Sequence, residues 1–120
     1  MAFVDVTSLS ELAEGIPKVV RLGRREVVLV HWHGRVFALR NICPLQTQSF
    51  AGGVVGTRIE PTGRPGQIAM RQDRPLLTCP WHRWEFELES GVCSLDPRIR
   101  VRTYRAAVDG DRVLVDVESR

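Results

Sequence analysis

A chain of 120 residues is long enough to bury one core without disulfide or metal staples, and too short to add a separate catalytic domain, so one domain over 1–120 is expected. Seventeen basic residues against fourteen acidic ones leave a net charge of +3, an excess nowhere gathered into a basic run interleaved with aromatics, which argues against nucleic-acid binding. With no basic-then-apolar leader at the start, no apolar run near the roughly 20 residues of a membrane span, and an odd three cysteines, the expectation is a cytoplasmic protein without a membrane partner, whose cysteines bind metal or are packed.

In chain order, Phe3 to Val6 alternates apolar and polar residues and predicts a first strand. Ser8-Leu9-Ser10-Glu11 has the spacing of a capping box and predicts one or two helical turns ending near Gly15. Pro17 to Leu22 is extended, Gly23-Arg24-Arg25 is a turn, and Val27 to His33 meets Val36 to Leu39 across Gly34-Arg35 as a hairpin that delivers the chain to Cys43.

From Gln46 to Thr78 the chain reads as a long loop punctuated by glycine and proline, with short strands at Val54-Val55 and Ile68-Ala69-Met70 and a turn at Asp73-Arg74-Pro75. Trp84 to Leu88 and Val92 to Ser94 predict a second hairpin around Glu89-Ser90-Gly91, followed by a turn at Asp96-Pro97. Arg98 to Arg102 alternates strictly, so Ile99 and Val101 should face the core and the three arginines solvent. Asp109-Gly110 is a hairpin turn before a last strand over Arg112 to Val117. Eight to ten short strands with almost no helix imply an all-β, antiparallel sandwich or barrel.

Two stretches carry the chemistry. Asn41-Ile42-Cys43-Pro44-Leu45-Gln46 and Cys79-Pro80-Trp81-His82-Arg83-Trp84 each set a cysteine in a proline-stiffened loop, and the second adds an imidazole three positions on. Soft thiolates with an imidazole suit zinc or iron-sulfur chemistry. Around them run Ala38-Leu39 and Asn41 before Cys43-Pro44, then Leu77 before Cys79-Pro80-Trp81-His82, then Trp84, Phe86, Gly91, Asp96-Pro97, Val101 and Thr103-Tyr104. In that order they resemble the Rieske-type ferredoxins and related Rieske domains over nearly the full length.

The resemblance implies a Rieske-like fold with a small cluster-binding subdomain, its loops at about 41–50 and 77–97. It also implies a [2Fe-2S] cluster with cysteines on one iron and histidines on the other. Carried over by position, Cys43 and Cys79 match the two thiolates and His82 matches one imidazole. Leu45 stands where the other histidine belongs and offers no lone pair. Three readings stay open: a cluster with a substitute ligand (Gln46, water or Cys93); a cluster-free accessory or interaction module; or one zinc or iron held by Cys43, Cys79 and His82 with water in the fourth position. Arg83 is a second departure, replacing the family's usual glycine.

High-potential respiratory members carry a serine and a tyrosine where this chain has Trp84 and Phe86, and a disulfide where it has Gln48 and Trp81. The resemblance therefore implies the ferredoxin-like branch, an electron carrier rather than an independent catalyst, with a reductase and an oxygenase as protein partners and a monomeric or weakly oligomeric state. His31 and His33 flank Trp32 on a predicted strand, where a solvated face outweighs a second metal pair; Cys93 reads as a packed small residue. No serine or cysteine is set beside a histidine as a nucleophile would need, and no phosphate-cradling loop is present.

Overall fold

Side chains at every second position decide which face of a strand turns inward, and in one stretch of this chain both faces do. The computed structural model describes residues 3–44, 49–61, 68–80 and 84–117, the side chains of 57–61 and 68–74 excepted. Among them are nine strands: β1 (Phe3–Ser8), β2 (Lys18–Leu22), β3 (Arg25–Trp32), β4 (Arg35–Arg40), β5 (Val54–Pro61), β6 (Ile68–Thr78), β7 (Glu85–Glu87), β8 (Thr103–Asp109) and β9 (Arg112–Asp116). Six form one antiparallel sheet in the order β1-β9-β8-β4-β3-β2, and three form a smaller one in the order β5-β6-β7.

The six strands send side chains into one interior: Val6 from β1, Val20 and Leu22 from β2, Val27 and Leu29 from β3, Ala38 from β4, Tyr104 from β8, and Val113 and Val115 from β9. A sheet whose every strand lines the same core wraps around it, giving a nearly closed barrel. The opposite face of β3 and β4, through Val28, Val30, Phe37 and Leu39, packs on a second core shared with the small sheet. That is why Val27 to Val30 is an unbroken apolar run: all four are fully buried, two in each core.

The β3–β4 register pairs Trp32 with Arg35, so the turn is His33-Gly34 rather than Gly34-Arg35. Both turn residues have positive φ (47° and 79°), the twist a two-residue hairpin needs. His33 thus leaves the strand, and its expected shared face with His31 does not form. The His33 N–H donates to Glu14 Oε1 at 2.6 Å, while His31 Nδ1 lies 3.3 Å from the Leu12 carbonyl.

Two further expectations are corrected. The capping box gives a single 3-10 turn, Leu9–Glu11, and Ser8 makes no capping hydrogen bond. Glu11 Oε2 instead accepts from Thr7 Oγ1 at 2.7 Å, and the Leu9 N–H is taken by the Asp111 carbonyl at 2.6 Å. The supposed loop between Gln46 and Thr78 holds a long hairpin. β5 and β6 pair from Val54↔Thr78 to Thr57↔Pro75, shift register, and resume from Arg58↔Arg71 to Pro61↔Ile68. Residues 72–74 are the surplus on β6, and a bulge there lets Pro75, which lacks an N–H, stand in a strand paired on both sides.

A candidate metal centre between two loops

Strand β4 hands the chain to Asn41, the residue that shapes the first loop. Its side chain is 2 % exposed and fastens the loop at its base. Oδ1 accepts the Phe50 N–H at 2.8 Å, Nδ2 donates to Ser49 Oγ at 2.8 Å, and its own N–H donates to the Glu26 carbonyl at 3.0 Å. A buried amide that uses both donor and acceptor ends holds 41 and 50 together across the loop. Cys43, within it, is fully buried.

The second loop leaves β6 at Thr78 and rejoins β7, which pairs Thr78 with Glu85. One rung further the Cys79 N–H donates to the Trp84 carbonyl at 2.8 Å, closing the loop at its neck with Cys79 fully buried. The two loop bases meet in the second core. The rings of Phe50 and Phe86 stand edge to face with centroids 5.7 Å apart. Gly53 lets them approach, since a Cβ there would lie 2.6 Å from the Thr78 carbonyl oxygen and 2.9 Å from that of Phe50.

A third stretch flanks the pair. Cys93 bridges to Phe86, its N–H donates to the Ile99 carbonyl at 2.9 Å, and its side chain is buried in the same apolar cluster as Cys43 and Cys79. The turn beyond it is closed by Arg98, whose Nε and Nη2 reach the Asp96 carboxylate at 3.1 and 3.0 Å. These side-chain bonds, followed by the bond from the Arg98 N–H, hold the Asp96 carboxyl below its ordinary pKa. Ser94 Oγ is buried with no hydrogen-bond partner among the described residues.

Of the residues expected at the site, the structure brings Cys43 and Cys79 into one core, with Cys93 in the same cluster and Trp84 packed against it. His82 lies outside the described residues, as do Leu45, Gln46, Gln48, Trp81 and Arg83. Asn41 belongs to a stretch singled out in the sequence and Ser49 to its loop, but their part in fastening that loop was not read there, and Gly53 stood only as loop punctuation. A residue ending in an amide at the foot of a strand, with Ser49 eight positions on, was the available signal for the first two.

The donor set fits a thiolate-held iron. The three cysteines are thiols rather than disulfides, and Cys43 and Cys79 sit in a dry apolar shell on separately fastened loops. Barrel and small sheet define an all-β protein that brings two cysteine-bearing loops onto one core; among the described residues no group of three or more His, Cys, Asp or Glu side chains is gathered as a metal site. The chain belongs to the family of Rieske-like [2Fe-2S] domains, whose model matches residues 2–116. It is 28 % identical over 116 residues to the ferredoxin component of the alkene monooxygenase system of Xanthobacter autotrophicus, covering 97 % of this chain and 82 % of that one.

Solved structures agree. The ferredoxin of carbazole 1,9a-dioxygenase from Nocardioides aromaticivorans superposes with a TM-score of 0.72 at 25 % identity, covering 96 % of this chain and 97 % of that one. A Mycobacterium tuberculosis chain assigned as an NADH-dependent nitrite reductase small subunit superposes with a TM-score of 0.78 at 25 % identity, covering 95 % and 93 %. Among the described residues no helix is long and apolar enough to cross a membrane.

Proposed function

We propose that this chain passes single electrons between a reductase and a terminal oxygenase through a [2Fe-2S] cluster bound by Cys43, Cys79 and His82. The observation that carries the reading is the delivery of two fully buried thiols into one apolar core by two loops, each fastened at its base. The likeness to a monooxygenase ferredoxin component and to a dioxygenase ferredoxin supports the choice of an oxygenase as partner. When bound, the cluster supplies a one-electron valence change at iron.

The chain's own residues do the rest. Cys43 and Cys79, as thiolates, would hold iron of the cluster. Asn41 and the Cys79–Trp84 backbone bond hold those anchors at fixed spacing, so little rearrangement accompanies a change of charge. Phe50, Leu77 and Phe86 exclude water from the thiol side. His82 would provide one imidazole ligand, and a ligand other than histidine would serve where Leu45 replaces the second. The whole of 1–120 serves as one Rieske-like domain, and three thiols kept out of disulfides suit a reducing compartment such as the cytoplasm.

The test is iron and acid-labile sulfide on anaerobically purified protein, with its visible and electron paramagnetic resonance spectra. About two of each per chain and a reversible one-electron reduction are expected. A colourless protein that still unfolds cooperatively would overturn the reading in favour of a cluster-free interaction module.

A further inference from the structure

Three arginines of the described surface close on carboxylates: Arg35 reaches Glu89 at 3.3 Å, Arg98 reaches Asp96 at 3.0 Å and Arg112 reaches Asp5 at 2.6 Å. Those around the β2–β3 turn do not. Arg21, Arg24, Arg25 and Arg40 line a cavity of about 230 Å³ together with Glu26, Ile42 and Tyr104. The fold gathers them: Leu22 pairs with Arg25 across the turn, and Val27 pairs with Arg40 on the next strand. Arg21 Nε donates to the Gly23 carbonyl at 3.2 Å and Arg25 Nη1 to the Val117 carbonyl at 2.7 Å. Among the described residues none of the four has an acidic partner within salt-bridge distance. Glu26 sends Oε1 toward Asn41 Nδ2, 3.4 Å away. At the rim, the Arg102 guanidinium lies over the Tyr104 ring, 5.2 Å from its centroid.

Four guanidiniums outside any salt bridge among the described residues, against the single carboxylate of Glu26, form a receptor for anionic groups around one concavity, since each planar fork can take a carboxylate or phosphate through two hydrogen bonds. At about 30 Å³ per water, the cavity of about 230 Å³ equals roughly eight waters, room for more than one acidic group. Its position selects the source. Arg40 directly precedes Asn41, and Ile42, in the cavity wall, belongs to the loop that carries Cys43. A free small anion gains nothing from that adjacency. A protein seated there is brought against the loop, where electron transfer needs it.

We propose that this arginine-lined cavity docks a cluster of acidic side chains on the protein with which the chain exchanges electrons, an inference that rests on the electron-transfer reading. The cations steer the encounter and set orientation, so the interaction weakens as salt rises.

The test titrates cluster-loaded protein with fluorescein-labelled hexaglutamate and follows anisotropy. Binding at low ionic strength is expected, weakened at least tenfold by Arg24→Glu with Arg40→Glu, and changed less than twofold by Arg100→Glu with Arg105→Glu on other exposed sites. If charge reversal impairs folding, Arg24→Gln with Arg40→Gln must still weaken binding severalfold. No binding by the parent protein, or equal losses in both charge-reversed pairs, overturns the proposal. Displacement of the peptide by inorganic pyrophosphate at much lower concentration overturns it in favour of a small-phosphate site. Iron, sulfide and reversible reduction measured on the same samples separate the two failures: intact redox chemistry without peptide binding sinks only the docking site.

Discussion

Alanine in place of Asn41 should loosen the first loop without touching a thiol. The substitution removes the acceptor of the Phe50 N–H and the donor to Ser49 Oγ, both at 2.8 Å, from a side chain that is 2 % exposed. Two net hydrogen bonds at about 1 kcal/mol each, plus about 1–2 kcal/mol for a buried N–H left without a partner, give a loss of roughly 3–4 kcal/mol. With a urea m-value of about 2 kcal/mol/M, the apoprotein midpoint should fall by about 1.5–2 M at unchanged m. Asn41→Asp keeps the acceptor for Phe50 but loses the donor and sets a second carboxylate beside Glu26, so about half that loss is expected. Iron should also leave the Asn41→Ala protein faster in the presence of a chelator. A midpoint within about 0.5 M of the parent, or equal losses in the two variants, would refute the claim that the amide holds the loop closed.

Gly53→Ala forces a methyl against two backbone oxygens and should cost about 1–3 kcal/mol in the same urea assay; a neutral result would show that the approach of the loops is not tight. Ser94→Ala removes a buried hydroxyl with no partner among the described residues, so the midpoint should hold or rise, and a marked fall would reveal a bond beyond them. Asp5, Glu11 and Asp96 are all held below their ordinary pKa values, first by hydrogen bonds from Arg112, Thr7 and Arg98 respectively. Groups depressed in the folded state stabilise it above the unfolded pKa, here 3.8 for aspartate and 4.5 for glutamate, and that share disappears as pH falls through the folded values. Midpoints should therefore drop below about pH 4, by little because the groups are exposed, and Asp5→Asn should flatten the slope. Leu45→His should increase the iron and sulfide retained per chain, and Cys93→Ser should leave both unchanged; near-zero incorporation in the first would count against the cluster, and metal loss in the second would make Cys93 a ligand.

Much of this molecule is legible from alternation alone. The arginines of Arg98 to Arg102 are exposed while Val101 is buried, as the alternation indicates, although the segment is a turn with one isolated bridge at Arg100 rather than a strand, and the first cysteine loop follows the predicted β3–β4 hairpin. What was not legible depends on partners distant in sequence. β5 and β6 carry Gly56 and Pro75 in their paired registers, residues that locally read as breakers, and only a register shift reconciles them with a ladder. The four-residue capping pattern at Ser8 gave way because the Leu9 N–H extends the β1–β9 pairing by one bond, to the Asp111 carbonyl beside Arg112. Asn41 and Gly53 matter through contacts with Phe50 and Thr78, which no local pattern announces.

The rung joining Val54 to Thr78 sits where both loops start and finish, with Gly53 pressed against it. Beyond Leu76 and Leu77, which still pack on the core and pair with β7, the hairpin past the Thr57–Pro75 rung is an appendage whose length does not enter the spacing of Cys43 and Cys79. Evolution, or a protein engineer, is thereby given a place to lengthen, trim or replace sequence between the two halves of the centre while leaving the centre's dimensions alone.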